Sequence, residues 1–265
     1  MIFNTELVYK QLVVRTRNAI NESGLTKAII GVSGGIDSAL AAVITADAIG
    51  PKNVLGVAMP SKYSSEASKE DARELMVNLK SNITFRPIVD YHALFTEDFR
   101  LTGLPDENVQ ARLRAVILMT LANIENRFVI CPSNGSEIFV GYSTIYGDTI
   151  GGFAPLAGLL KTDVYTMSNW VNESRGKTVI PLNTITRPAS AELSPDQKDS
   201  DSLPAYGVLD QIIVDFESGV KPETIIEKFG TDAVNVLRRH KNSAWKRLQL
   251  PPGTPAIRLK EKYND

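Results

Sequence analysis

Ser33-Gly34-Gly35-Ile36-Asp37-Ser38 gathers two hydroxyls, two glycines and one carboxylate within six residues. It follows the apolar run Ala28-Ile29-Ile30-Gly31-Val32 and precedes an alanine-rich segment with Leu40, Val43 and Ile44 at helical spacing and no glycine before Gly50. Strand, glycine turn and helix start together form a phosphate cradle. Glycine lets the backbone approach an anion, and the unpaired N–H groups of the first helical turn point toward it. The same glycines would also serve a tight strand-to-helix connection with no ligand. Asp37 argues for chemistry: beside a phosphate a carboxylate repels unless a divalent cation lies between, which implies Mg²⁺. The spacing is neither that of a Walker A loop nor that of the GxGxxG dinucleotide fingerprint.

Several elements must carry this loop. A broad apolar stripe through Leu7, Val8, Leu12, Val14 and Ile20 predicts a helix over 5–21. Short apolar runs at 28–32, 54–59, 84–89 and 128–131 predict strands, and helical patterns at 66–79 and 107–124 lie between them. This alternation predicts an α/β fold, a doubly wound parallel sheet whose ligands gather at the carboxyl ends of the strands. The glycine-rich stretch 147–158 reads as a loop and 162–172 as a helix with Thr162 as its N-cap. Residues 183–204, rich in Pro, Ser and Asp and without periodicity, read as a long functional lid. Three short helices, at 205–217, 222–229 and 231–241, give the fold a helical C-terminal part.

Composition excludes several classes. The 265 residues carry a net charge of −1, so no basic field advertises nucleic acid or an anionic membrane. With 43% hydrophobic and 22% charged residues the chain reads as globular, and no apolar run approaches the length of a membrane span. The N-terminus mixes Glu6, Lys10, Arg15 and Arg17 into its apolar stripe, unlike a signal peptide. Cys131 is the single cysteine, so no internal disulfide can form and a cytoplasmic location is expected. Cys131 itself reads as a buried strand residue.

The glycine loop resembles the SGGxDS pyrophosphate loop of the N-type ATP pyrophosphatases. The resemblance narrows with Met59-Pro60-Ser61, Glu107-Asn108-Val109-Gln110-Ala111-Arg112, Ser133-Asn134-Gly135-Ser136-Glu137, Gly141-Tyr142, Tyr146-Gly147-Asp148, Gly151-Gly152-Phe153-Ala154-Pro155 and the segment from Pro188 through Leu203. In that order, over nearly the whole chain, these blocks resemble NAD synthetases. Their wording is nearer to the synthetase domain of the glutamine-dependent subclass than to the short ammonia-dependent enzymes. The resemblance implies one synthetase domain over residues 1–265. It implies that ATP adenylates the nicotinate carboxylate of deamido-NAD and that ammonia then displaces AMP.

It also implies roles. Gly31, Val32, Ser33, Gly34, Gly35, Ile36, Asp37, Ser38, Met59, Lys161 and Ser190 fall at ATP-binding positions, and Asp37 and Glu137 at those of the Mg²⁺ ligands. Arg112, Tyr142 and Lys246 fall where the family contacts deamido-NAD, and Asp148 where it handles ammonia, with Lys161 as a second catalytic group. A homodimer with substrate across the interface is implied as well. Two positions depart from the family: Gly135 stands where lysine is usual, and Pro132 where a threonine contacts ATP. Nothing in the sequence resembles a glutaminase domain, so the expected nitrogen source is free ammonia, a separate glutaminase subunit or a missing part of a longer polypeptide. Another amidating enzyme of the same superfamily and a nucleotide-binding module without turnover remain as alternatives.

Overall fold

The computed structural model describes residues 4–255. Asn4 starts the first helix, α1 (Thr5–Glu22), by accepting the Leu7 N–H through its side chain. Then follow β1 (Ala28–Gly31), α2 (Ile36–Ile49), β2 (Val54–Ala58), α3 (Glu66–Leu79), β3 (Asn82–Phe85), α4 (Val89–Phe99), α5 (Leu104–Glu125) and β4 (Phe128–Val129). After β4 the chain is helical: α6 (Gly135–Val140), α7 (Lys161–Ser174), α8 (Leu182–Thr186), α9 (Tyr206–Glu217), α10 (Pro222–Phe229), α11 (Thr231–Asn242) and α12 (Ala244–Arg247).

The four strands form one parallel sheet in the order β3-β2-β1-β4, with Ala28 opposite both Val54 and Phe128. The chain therefore winds from β1 out to β3 and then returns to add β4 on the other side of β1. The crevice at such a reversal lies beyond the carboxyl ends of β1 and β4, where α/β sheets bind ligands.

Alternate residues of β1 supply both faces. Ala28 and Ile30 pack into the largest core with α1, α2 and α7, whereas Ile29 joins Leu55, Val57, Val129 and the α5 residues Leu118 and Ala122. Apart from Asp37, Asp47 and Ile49, α2 is buried all round, which makes it the central helix of the layer. A third core joins α6 to α9, α10 and α11 through Phe139, Leu209, Ile212, Ile213, Ile225 and Val236. No helix among the described residues is long and apolar enough to cross a membrane.

The structure corrects the sequence reading at several boundaries. The third strand is Asn82–Phe85, and Val89 begins α4, a helix that the apolar pattern concealed. The long helix starts three residues early, at Leu104, with Pro105 in its first turn. Thr162 is not the N-cap of α7: Leu160 holds that position and donates its own N–H to the Asp163 carboxylate at 3.1 Å. The stretch 147–158 is not free of pairing, because Phe153 bridges in parallel to Ile130 and Ala154 to Gly253. The long lid contains α8 and a 3-10 turn at Asp199–Asp201.

Candidate active site

A cleft of about 330 Å³ opens at the carboxyl edge of the sheet. Every residue from Gly31 to Ser38 lines it, with Met59, Glu137, Tyr142, Asp148, Lys161 and Ser190. No side chain caps α2, so the helix presents its first turn to the cleft bare. Gly34 turns at φ +79°, and a Cβ there would stand 2.3 Å from the Ser68 carbonyl oxygen, so the turn needs glycine for conformation and for space. Ser33 and Ser38 hold the loop from within: the Ser38 hydroxyl donates to the Gly35 carbonyl at 2.9 Å, and the Gly35 N–H donates to Ser33 Oγ at 3.2 Å.

The charged centre is built by helices that follow adjacent strands. Asp37, at the start of α2 after β1, and Glu137, in the first turn of α6 after β4, meet at the same ammonium: Lys161 Nζ lies 2.6 Å from Asp37 Oδ2 and 3.2 Å from Glu137 Oε1. Asn134 ties the carboxylate positions together. Its side chain donates to Asp37 Oδ1 at 2.9 Å and accepts the Glu137 N–H at 3.0 Å, capping α6 in the same act. Burial pushes the Glu137 carboxyl above the usual range, against the pull of Lys161. Burial alone would lower Lys161, but the carboxylates of Asp37 and Glu137 outweigh it and keep the lysine charged.

Two hard carboxylates already converged on one cation fit Mg²⁺, which takes one or two protein carboxylates and completes its shell with water and substrate phosphates. Among the described residues no group of three or more His, Cys, Asp or Glu could hold a metal. A metal at Asp37 and Glu137 would therefore depend on the nucleotide for its remaining oxygens.

Asp148 also lines the cleft, and its Oδ1 accepts the Thr144 N–H at 2.7 Å. Protein packed around this carboxyl pushes it up to about 6. The lid forms another wall. Arg187 donates to the Gly34 carbonyl at 2.9 Å and pairs with Asp71 of α3 at 3.1 Å, while Glu192 accepts from Ser68 Oγ at 2.8 Å. Asp199 accepts the Tyr206 hydroxyl at 2.7 Å, and the Tyr206 ring faces Lys161 Nζ at 5.0 Å.

Two expected substrate residues do not reach the cleft wall. Arg112 is exposed and donates to the Ile145 carbonyl at 3.3 Å, and Lys246 Nζ is held by the carbonyls of Gly141, at 2.9 Å, and Ser143, at 2.5 Å. Arg112 in α5 and Lys246 in α12 both donate to the backbone of the 141–148 loop and do not line the cleft. Arg114 lines the cleft in Arg112's place, donating to the Met59 carbonyl at 3.0 Å, and burial lowers its guanidinium to about 10.

Residues 8–251 match the NAD synthase family. The chain belongs to that family. A glutamine-dependent NAD(+) synthetase of Thermotoga maritima is 42% identical over 239 residues, which are 88% of this chain and 41% of that relative. The chain thus spans half or less of the length of the curated relatives it matches. A solved NMN synthetase of Francisella tularensis superposes with a TM-score of 0.80 at 27% identity, covering 93% of this chain and 97% of that one. A glutamine-dependent NAD+ synthetase of Acinetobacter baumannii, solved with adenosine diphosphate, superposes with a TM-score of 0.69 at 34% identity, covering 96% of this chain and 48% of the other.

At Gly135, where the resemblance leads one to expect lysine, the backbone is closely packed. The Gly135 N–H donates to the Leu159 carbonyl at 2.7 Å, and a Cβ would come within 2.9 Å of that oxygen and 3.0 Å of the Ala157 carbonyl. The 157–159 backbone occupies the space that a side chain would take. Sequence reasoning assigned no role to Asn134, Ser136, Arg187, Asp199 or Asp210. Only Asn134 carried a local signal, as an N-cap residue three places before Glu137.

Proposed function

We propose that this chain is the amidating unit of an NAD synthetase, using ATP to activate the nicotinate carboxylate of deamido-NAD. The observation that carries the reading is the convergence of Asp37, Glu137 and Lys161 beside the bare first turn of α2. A carboxylate is a poor electrophile because oxide does not leave. Its oxygen attacks the α-phosphorus of ATP and pyrophosphate departs; ammonia nitrogen then attacks the acyl carbon and AMP departs. The glycine turn and Ser190 hold the phosphates, with Met59 at the nucleotide's side. A Mg²⁺ between Asp37, Glu137 and the phosphates would offset the negative charge gathered where carboxylate meets nucleotide. Lys161 supplies a compact cation to the same charge.

Asp148 accepts the proton that the attacking nitrogen sheds. Tyr142, on the cleft wall, and Arg112 of α5 and Lys246 of α12, both bonded to the 141–148 loop, engage the part of deamido-NAD that extends past the cleft. The expected homodimer would cover the apolar side chains exposed on α4 and α5, including Leu94, Phe99, Leu104 and Val116. A cytoplasmic enzyme fed by free ammonia, by a glutaminase subunit or by a glutaminase part of a longer polypeptide completes the reading.

A second reading is favoured by the NMN synthetase likeness, which covers nearly all of both chains: amidation of nicotinate mononucleotide by the same chemistry. Incubation with ATP and Mg²⁺, crossing deamido-NAD or nicotinate mononucleotide with ammonium or glutamine, separates these possibilities. NAD from deamido-NAD with ammonium alone is the expected result. Preference for the mononucleotide would establish the second reading, and no amide in any arm would overturn both.

Asp148 predicts a pH signature. Its carboxyl, ordinarily near 3.9, is raised to about 6, so it is a base above that pH and neutral below it. At constant free ammonia, turnover should fall as pH drops through about 6. Asp148→Asn should lower the plateau and remove that limb from the pH–rate profile; an unchanged limb would reassign the proton acceptor.

A further inference from the structure

We propose that Asp210 is the positioning residue that sets Glu137 and Lys161 in one geometry, an inference that rests on the function proposed above. Asp210 lies in α9, 3% exposed, and belongs to the C-terminal helical layer rather than to the cleft. Its two oxygens hold two different helix starts: Oδ1 accepts from Ser136 Oγ at 2.5 Å, and Oδ2 accepts the Thr162 N–H at 2.8 Å. Ser136 Oγ in turn accepts the Lys161 N–H at 2.9 Å. One carboxylate thus secures the residues next to Glu137 and next to Lys161.

The arrangement does more than satisfy buried polar groups. With six residues, α6 is too short to hold its own direction, so the aim of Glu137 depends on what grips its first turn. Asp210 takes up the Thr162 N–H in the first turn of α7, where the helix dipole favours an anion, and reaches α6 through the Ser136 hydroxyl. The third core, built from α9, α10, α11 and α6, fixes where Asp210 stands, so that layer dictates the spacing of the catalytic cations and anions. The Gly31–Ser38 loop makes no bond to Asp210 and keeps its own internal bonds if the clamp opens. Loosening Asp210 should therefore spoil the metal and lysine geometry while leaving the phosphate cradle formed.

The test is Asp210→Asn in the full chain. The amide keeps the size and one acceptor but not the charge: with its oxygen on the Thr162 N–H its NH₂ faces Ser136 Oγ, and the Ser136 hydroxyl proton loses its acceptor. With the fold kept by circular dichroism, kcat should fall about 30- to 100-fold while KM for ATP stays within about twofold. The Mg²⁺ concentration needed for half-maximal ATP binding, measured by calorimetry, should rise roughly tenfold. Ser136→Ala opens one arm of the clamp and should shift the same quantities less; the double variant should be no worse than Asp210→Asn alone.

A folded Asp210→Asn with unchanged kcat, or one whose activity falls only with its melting temperature while the Mg²⁺ requirement stays put, would overturn the proposal. Should Asp210→Asn not fold, Ser136→Ala decides on the same readouts. Failure of the unmodified protein to amidate any substrate would sink the functional reading, whereas the Mg²⁺ dependence of ATP binding still judges Asp210.

Discussion

Asp37→Asn should cost on the order of 10²- to 10³-fold in amidation rate, the scale of losing one group that stabilises transition-state charge, while leaving the melting temperature unchanged or slightly higher. The two halves of this expectation come from the same three charges. Asp37 and Glu137 face one ammonium in a partly buried cluster, with side-chain exposures of 18%, 19% and 3% for Asp37, Glu137 and Lys161, and burial together with the Asp37 charge already pushes Glu137 above the usual carboxylate range. Replacing the first carboxylate by an amide removes the repulsion that Asp37 exerts on Glu137 and leaves Glu137 alone to pair with Lys161. Asn134 still accepts the Glu137 N–H, so the cap of α6 survives, but the amide has one oxygen for two donors, Asn134 and Lys161, and its NH₂ must face one of them, a cost set against the relieved repulsion. What disappears is one of the two carboxylates proposed to hold Mg²⁺ against the nucleotide. Thermal melts beside NAD formation check this; a variant that loses stability and rate together would show that Asp37 serves the fold rather than the chemistry.

The difference between what could and could not be read from the chain follows from where each signal is stored. The β1–loop–α2 unit is local: apolar run, glycine turn and helical stripe occupy consecutive residues, and the structure reproduces them within a residue. That Asp37 and Glu137 share a sheet edge also follows from a parallel sheet, but their contact with one ammonium depends on β1 and β4 being neighbours, a matter of strand order. The helix α4 was missed because its one buried residue, His92, is polar and pairs with Asp106 of α5 at 2.6 Å, while Leu94, Phe95 and Phe99 are exposed. Hydrophobic periodicity is silent about such a helix. Lys161 reads from sequence as a cation for phosphates; its pairing with a carboxylate 124 positions away is written only in space. Asp210 had no local mark at all, because its partners Ser136 and Thr162 lie 74 and 48 residues distant.

Lys161→Met should reverse the stability pattern of Asp37→Asn. Removing the ammonium leaves two carboxylates facing each other with nothing between them, and breaking a buried pair in this way costs about 3–5 kcal/mol. One of the carboxyls would take up a proton to relieve the repulsion. The same vacancy is a better home for a divalent cation than the unaltered site, where Lys161 already occupies the carboxylates at 2.6 and 3.2 Å. Mg²⁺ alone, without nucleotide, should therefore raise the melting temperature of Lys161→Met markedly and that of the unaltered protein little, since a ligand stabilises only in proportion to its binding of the folded state. Turnover should nonetheless be lost, because the metal cannot both replace the lysine in pairing with Asp37 and Glu137 and supply the second cation at the phosphates. Equal Mg²⁺ responses in the two proteins would mean that the carboxylates do not form a metal site, and the proposed Mg²⁺ at Asp37 and Glu137 would have to be given up.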